Sequence, residues 1–321
     1  MNNFLGLLIV FFALIPFTAF SQPYPSKPVR LVVPQPAGGP TDAAGRLIAQ
    51  MLADGLGQNV IVDNRAGAGG TVGTAHVARS KPDGYTLLTA TAGILSIAPS
   101  LYSRIDYDPI ADFQHISLTV RTPTVLVVHP SFPAKTSADL IRIARTKPGQ
   151  INLASGGNGT ASHLTGELFR AMSGINIVHV PYKGSAAAAT DIMGGQVEMF
   201  FLILNEGLGH VRSGRLKGLA TTGPQRSKYL PDLPTVSESG IPGFESVTWY
   251  GLSAPAQMPA DVLSKLSAAA IQGIKKPIFR ERFEAAGYEI MGSTSEAFLT
   301  HIKSEMVKWA NVIKQSGAKV N

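Results

Sequence analysis

The chain has 321 residues, no cysteine, a formal net charge of +7, and 45% apolar against 15% charged residues. That length suits two ordinary domains, and the apolar share excludes a disordered chain. The missing cysteine excludes disulfides, thiolate metal sites, cysteine nucleophiles and a lipidated N-terminal cysteine.

The chain opens with the apolar run 4–20, which is followed by Ser21-Gln22-Pro23. Ala19 and Ser21 form a small-x-small cleavage pattern, and Pro16 interrupts the run just before it. A secretory signal over residues 1–21, cleaved near Ser21, is expected; the run is short for a membrane span of about 20 residues. The basic residues that follow are scattered, without a block of five, so nucleic acid is not an expected partner. Their charge either steers anionic solutes mildly or simply solvates the surface.

Val29–Val33 reads as a buried strand and runs into Pro34-Gln35-Pro36-Ala37-Gly38-Gly39-Pro40. The prolines withhold donors and the glycines allow backbone shapes closed to other residues, so the strand must end there. A helix follows, with Thr41 as a fair N-cap, Pro40 suited to the first turn, Asp42 offsetting the positive helix end, and Leu47, Ile48, Met51 and Leu52 on one face. A strand, a glycine-rich bend and a helix start together leave backbone N–H groups free for an anion, phosphate or carboxylate; the alternative is a plain turn with no ligand.

The same alternation continues. Asn59–Asp63 is a strand, residues 64–73 are a second glycine-rich bend opening a helix over about 71–80, and Tyr85–Thr89 is a third strand followed by Thr91-Ala92-Gly93. Strands alternating with helices predict βαβ units and a parallel sheet. From Phe113 new strands appear at His115–Val120 and Val125–His129, then a helix at Ala138–Arg145 and a strand at Ile151–Ala154. That strand enters Ser155-Gly156-Gly157-Asn158-Gly159-Thr160, and the next helix carries Leu164, Leu168, Phe169 and Met172 on one face. Asn176–Val180 enters Pro181-Tyr182-Lys183-Gly184-Ser185 and an alanine-rich helix; Met199–Leu204 and Gly218–Thr222 are further strands. Near Thr248-Trp249-Tyr250-Gly251 the chain crosses back, and helices follow at Pro259–Ile274 and Ile278–Ala286. Ser293-Thr294-Ser295-Glu296 reads as a capping box before a core stripe of Phe298, Ile302, Met306, Trp309 and Ile313. Both halves thus share one construction, a strand running into a glycine-rich loop and a helix start. If the halves face each other, the cleft has amides on both walls and suits a small carboxylated molecule.

Enzymatic signatures are lacking. Gly67-Ala68-Gly69 has the wrong spacing for a dinucleotide turn and no acid near Thr89 to take a ribose. There is no Gly-Lys-Ser/Thr, no G-x-S-x-G and no H-E-x-x-H. His163, next to the second glycine loop, reads as a helix-start side chain bonded to backbone. No catalytic residue, metal site or cofactor is expected.

An ordered set of motifs resembles the Bug family, the periplasmic solute receptors of tripartite tricarboxylate transporters. The set comprises YPSKPVRLVV at 24–33, PAGGPTD at 36–42, DNRAGAGG at 63–70, PDGYTLL at 82–88, VPYKG at 180–184 and LPTVSESG at 233–240. The resemblance covers essentially the whole mature chain. It implies a type II periplasmic-binding-protein fold, an α/β architecture of two α/β lobes joined by a two-crossing hinge with the ligand cleft between them. Lobe 1 would take residues 23–122 plus 248–321, and lobe 2 residues 123–247. The implied function is extracytoplasmic capture of a small aliphatic or aromatic mono- or dicarboxylate, as a monomer, for a membrane permease; the rival is the same clamp signalling to a membrane sensor kinase. Carried over by position, the ligand contacts fall on Gln35, Pro36, Ala37, Gly38, Gly39, Thr41 and Asp42, with Thr91 and Ala92 beside them. Opposite stand Ser155, Gly156, Gly157, Asn158, Gly159, Thr160, Tyr182, Lys183, Gly184 and Leu202, with Trp249 at the hinge. Lys183 is either a partner for a distal carboxylate or a solvated loop residue. Many relatives carry Asp where this chain has Leu202, so a ligand without a free amine is expected, since leucine cannot meet an ammonium.

Overall fold

The structure, a computed structural model, describes residues 24–317. The expected signal segment and its cleavage point lie outside the described residues. In chain order the elements are β1 (Val29–Val33), α1 (Pro40–Leu56), β2 (Val60–Asn64), α2 (Thr71–Ala78), β3 (Thr86–Thr91), α3 (Ala98–Leu101) and β4 (Phe113–Val128). Then come α4 (Ser137–Thr146), β5 (Asn152–Ser155), α5 (Ala161–Ser173), β6 (Val178–Pro181), α6 (Ser185–Met193), β7 (Met199–Ile203), α7 (Leu204–Arg212) and β8 (Lys217–Thr221). The chain closes with β9 (Val247–Pro255), α8 (Ala260–Lys275), α9 (Pro277–Ala285), β10 (Glu289–Ile290) and α10 (Ser295–Ser316).

The strands follow the order β2-β1-β3-β9-β4-β7-β5-β6, with β8 and β10 also paired to β4. In the first half β1 lies parallel between β2 and β3. In the second β5 lies parallel between β6 and β7. Each parallel strand leads into a helix, so the helix starts gather at one edge of each half-sheet, as a right-handed βαβ winding requires.

The sequence suggests two strands at 115–120 and 125–129; the structure has one, the 16-residue β4. Pro123 does not end it, because the partner changes there. Residues 113–123 pair with β9, which returns antiparallel down to Val247. Residues 124–128 pair with β7 and β8 instead. A proline lacks an N–H and is tolerated where one ladder stops and the next begins. Behind this junction, Thr222 Oγ1 accepts from Thr124 N at 2.8 Å and donates to Ser246 O at 2.6 Å, tying the second chain passage to β4.

Two caps differ from the sequence reading. The N-cap of α1 is Gly39, extended at φ −88°, and Pro40 is the first helical residue, so Thr41 already lies inside the helix. The N-cap of α10 is Thr294, whose hydroxyl accepts from Ala297 N at 3.3 Å. Ser293 instead accepts from Leu118 N, at 3.0 Å, and fastens the helix entry to β4.

The core has three clusters. One lies in the first half beneath α1 and α8, and another in the second half beneath α6. The third runs through both, from Leu88, Trp249 and Phe298 to Leu153, Phe169 and Phe201. Within it the fully buried Phe298 of α10 sits edge-on to Trp249 and His115, at ring distances of 5.4 and 5.5 Å. Gly251 of β9 makes room for that ring: a Cβ there would come within 2.4 Å of Phe298 Cζ. Phe298→Ala is therefore expected to lower unfolding stability by about 3–5 kcal/mol in a reversible urea titration, because a large cavity opens against rigid strands. A loss below about 1 kcal/mol would mean that α10 is not the lid of this core.

Candidate functional site

A cavity of about 340 Å³ lies where the helix starts of the two halves meet. The first half contributes Gln35–Thr41, Gly69, Thr91, Gly93, Thr248 and Tyr250. The second contributes Gly156, Gly159–Ser162, Lys183–Ala186, Ile203 and Glu206. The volume falls within the range of small-molecule sites.

Four helices begin on its wall: α1 after Gly39, α5 after Thr160, α6 after Gly184 and α7 after Ile203. The first N–H groups of a helix have no partner within it, and each helix places a partial positive charge at that end. At α1 and α6 no side chain caps these donors. At α5 the Thr160 hydroxyl takes His163 N, at 3.5 Å. The wall is therefore a set of amide donors supplied by backbone, which is the chemistry that holds a carboxylate.

The first loop is held from behind by Asp42. Its buried carboxylate accepts from Gly38 N at 2.9 Å, Asn64 Nδ2 at 2.9 Å and Arg46 Nε at 2.8 Å. Burial pulls its pKa up, but the hydrogen bonds from Arg46, Gly38 and Asn64 together outweigh this and hold it below the ordinary value. Asn64 Nδ2 also donates to Gln35 O, and Gln35 Nε2 to Gly69 O, so two glycine-rich bends are knotted together. Gly38 sits at φ +83°, where a side chain would be strained.

The second loop rests on two stacked histidines, His163 and His179, with ring centroids 3.9 Å apart. Gly159 N donates to His163 Nδ1 at 3.1 Å, the backbone role expected of this residue. Ser155 Oγ meets His179 Nε2 at 2.6 Å. Burial, then the neighbouring His179, pushes His163 down to about 3; burial and Arg170 push His179 down to about 4. Both rings are neutral at physiological pH and add no charge to the cleft.

Of the residues expected from sequence, Gln35, Pro36, Ala37, Gly38, Gly39, Thr41, Thr91, Gly156, Gly159, Thr160, Lys183 and Gly184 lie together on the wall. Eight others do not line it. Asp42 and Ser155 are buried behind their loops. Gly157 and Asn158 belong to the second loop without reaching the cavity, and Asn158 is exposed. Ala92 belongs to the core, and the Tyr182 hydroxyl is engaged with Asp191 at 2.8 Å. Trp249 and Leu202 face away from the cavity for one reason: successive strand residues point to opposite faces. On β9, Thr248 and Tyr250 face the cleft while Trp249 packs on Phe298 and His301. On β7, Ile203 reaches the cleft while Leu202 is buried in the second-half core.

The sequence reading missed Tyr250 and Glu206. Tyr250 could have been found from the alternation around Trp249. Glu206 follows β7 on the first turn of α7, a helix that was not expected, so no motif pointed to it. Burial, offset by a hydrogen bond from Ser185, pushes its pKa up to about 7. Among the described residues it is the only carboxylate on the wall, and Lys183 the only ammonium.

A larger groove of about 1010 Å³ lies on the first half, lined by Lys27, Arg30, Arg65, His76, Arg79 and Lys81 among others. Its cations are largely engaged. Arg30 and Arg65 pair with Asp63 at 2.9 and 2.8 Å, Arg79 with Asp106 at 3.4 Å, and Lys27 lies over the Tyr85 ring. Among the described residues no cluster of His, Asp and Glu could hold a metal.

Two α/β lobes around an amide-lined cleft define a periplasmic-binding-protein fold of the two-lobed, two-crossing kind. The chain belongs to the tripartite tricarboxylate transporter family receptors, whose profile it matches over residues 44–318. It is 34% identical to the protein BugT of Bordetella pertussis over 323 residues, covering 100% of this chain and 99% of BugT. A structure described as R. palustris Rpa4515 with adipate superposes with a TM-score of 0.87 at 33% identity, covering 92% of this chain and 100% of that one. The periplasmic binding protein BugD superposes with a TM-score of 0.84 at 38% identity, covering 92% and 99%.

Asp42→Ala should release the first loop. Affinity for a cleft ligand is expected to fall at least about tenfold, and stability by about 1–3 kcal/mol, because Gly38 N and Asn64 lose a buried acceptor. The wild-type contribution of Asp42 is present above the ordinary carboxylate pKa and is lost as pH falls through the lower, folded-state value. The difference in stability between wild type and variant should therefore shrink in acid below about pH 4, and a gap that persists there would contradict the assignment.

Proposed function

We propose that this protein is an extracytoplasmic receptor that captures a small carboxylated solute in the cleft and presents its closed form to a tripartite tricarboxylate-type membrane permease. The observation that carries this reading is the convergence of four helix starts, one from the first half and three from the second, on a single cavity. A carboxylate can bridge donors from both halves only when the halves are shut, so binding energy favours the closed arrangement. The adipate in the Rpa4515 structure supports this ligand class.

The mature protein would begin near Ser21, act as a monomer in the periplasm and use no cofactor. Lobe 1 would comprise residues 23–122 plus 248–321, and lobe 2 residues 123–247. The change of β4 partner at Pro123 and the start of β9 at Val247 support those limits. The strands passing between the lobes would be the hinge.

Thermal-shift screening of the purified mature chain against a carboxylate panel tests the reading. A true ligand at a hundred times its dissociation constant should add about 2.7 kcal/mol to stability. Gly39→Val supplies the control. The backbone there is extended, and a Cβ would meet nothing nearer than Pro36 O at 3.7 Å, so the variant should fold. It adds bulk to the cavity wall and should abolish the shift. A shift that survives in the variant would remove the first loop from the site, and steady release of a product would replace the receptor reading with an enzymatic one.

A further inference from the structure

Glu206 is the one feature of the wall that amide donors do not explain. Four residues past Leu202, it enters from the first turn of α7, where the helix dipole favours a negative charge. The Ser185 hydroxyl, at the start of α6, bonds its carboxylate. Its Oε2 is buried with no hydrogen-bond partner in the protein. The two phenols nearest it have partners elsewhere. Tyr288 Oη accepts from Asn205 Nδ2 at 3.0 Å and donates to Pro40 O at 3.3 Å, and Tyr250 bonds Thr41. The neighbouring backbone is also engaged, since Glu206 N donates to Asn205 Oδ1 at 3.0 Å. A buried carboxylate oxygen without a donor is costly, and the cavity is where a donor can come from.

We propose that Glu206 sets the class of ligand by accepting a protonated amine, so that the cleft takes an amino-carboxylate with its carboxylate on the helix starts and its ammonium on Glu206. This rests on the receptor reading above and narrows it. The wall carries both the uncapped amides of α1 and α6 and, among the described residues, a single acid, which Ser185 at the start of α6 bonds, and that pattern is complementary to a molecule carrying both charges. A charge-assisted bond from an ammonium is about twice as strong as one from a neutral hydroxyl, which selects the amine. A plain dicarboxylate would set a second anion against Glu206 and be disfavoured. The amine-free ligand expected from Leu202 took only that position into account, and Glu206 supplies the acid that Leu202 cannot.

The test is calorimetry on the mature protein with matched pairs: glutamate with glutarate, 4-aminobutyrate with butyrate, and 6-aminohexanoate with hexanoate. In at least one pair the amino member should bind wild type at least about tenfold more tightly than its partner. In Glu206→Gln, which keeps an acceptor for Ser185 and should melt no lower than wild type, the preference should fall below about threefold. Affinity of the amino member should rise with pH, approaching tenfold per unit below pH 7 and flattening above it, because Glu206 must be ionised to accept. His163 and His179, neutral across this range, do not contribute such a slope. Equal or tighter binding of the nitrogen-free members, unchanged in Glu206→Gln, overturns the proposal and leaves the receptor reading intact. Failure of every carboxylate in both proteins overturns both.

Discussion

Unpartnered backbone amides at helix starts are the constraint from which the site follows. Every helix leaves its first donors without internal acceptors, and most proteins cover them with a side chain or with water. At α1 and α6 this chain places Gly39 and Gly184 where a capping side chain would sit. The donors then face the cavity. Because the strands of each half run parallel, their helix starts collect along one edge, and one continuous strand, β4, joins the two half-sheets. Shared pairing of β4 with β9, β7 and β8 fixes how the edges meet.

Side-chain charge is used sparingly around this constraint. The net charge of +7 does not gather in the cleft. The arginines of the basic groove are paired with Asp63 and Asp106, and the buried histidines behind the second loop are neutral. What positive potential the cleft has comes mainly from peptide dipoles, with Lys183 exposed at its wall. Such donors are held rigidly by the fold and need no reorganisation when an anion arrives. The Asp42 knot and the histidine stack keep the two loops in place without reaching the ligand.

Much of this was legible in the chain because it depends on local chemistry. Glycines and prolines mark the ends of β1 and β5, and the helical periods of α1, α5 and α10 stand out against the alternation of the strands. The ordered motifs identify the family. What could not be read was decided by facing and by long-range pairing. A strand residue points one way or the other according to its register, so Trp249 and Leu202, expected at the site, face away from the cavity while Tyr250 and Ile203 line it. β4 reads as two strands in the sequence because its change of partner involves residues about a hundred positions away. Glu206 lies on a short helix with no motif, and the groups it interacts with, Ser185, Tyr250 and Tyr288, come from other parts of the chain.

The most direct measurement is a crystal structure of the mature protein with a bound carboxylate drawn from the panel. The carboxylate oxygens should lie about 2.7–3.2 Å from backbone nitrogens of the 35–42 loop and of the 156–162 or 184–186 helix starts in the same molecule. A carboxylate seated instead in the groove lined by Arg30, Arg65 and Arg79, with the cleft amides untouched, would contradict it.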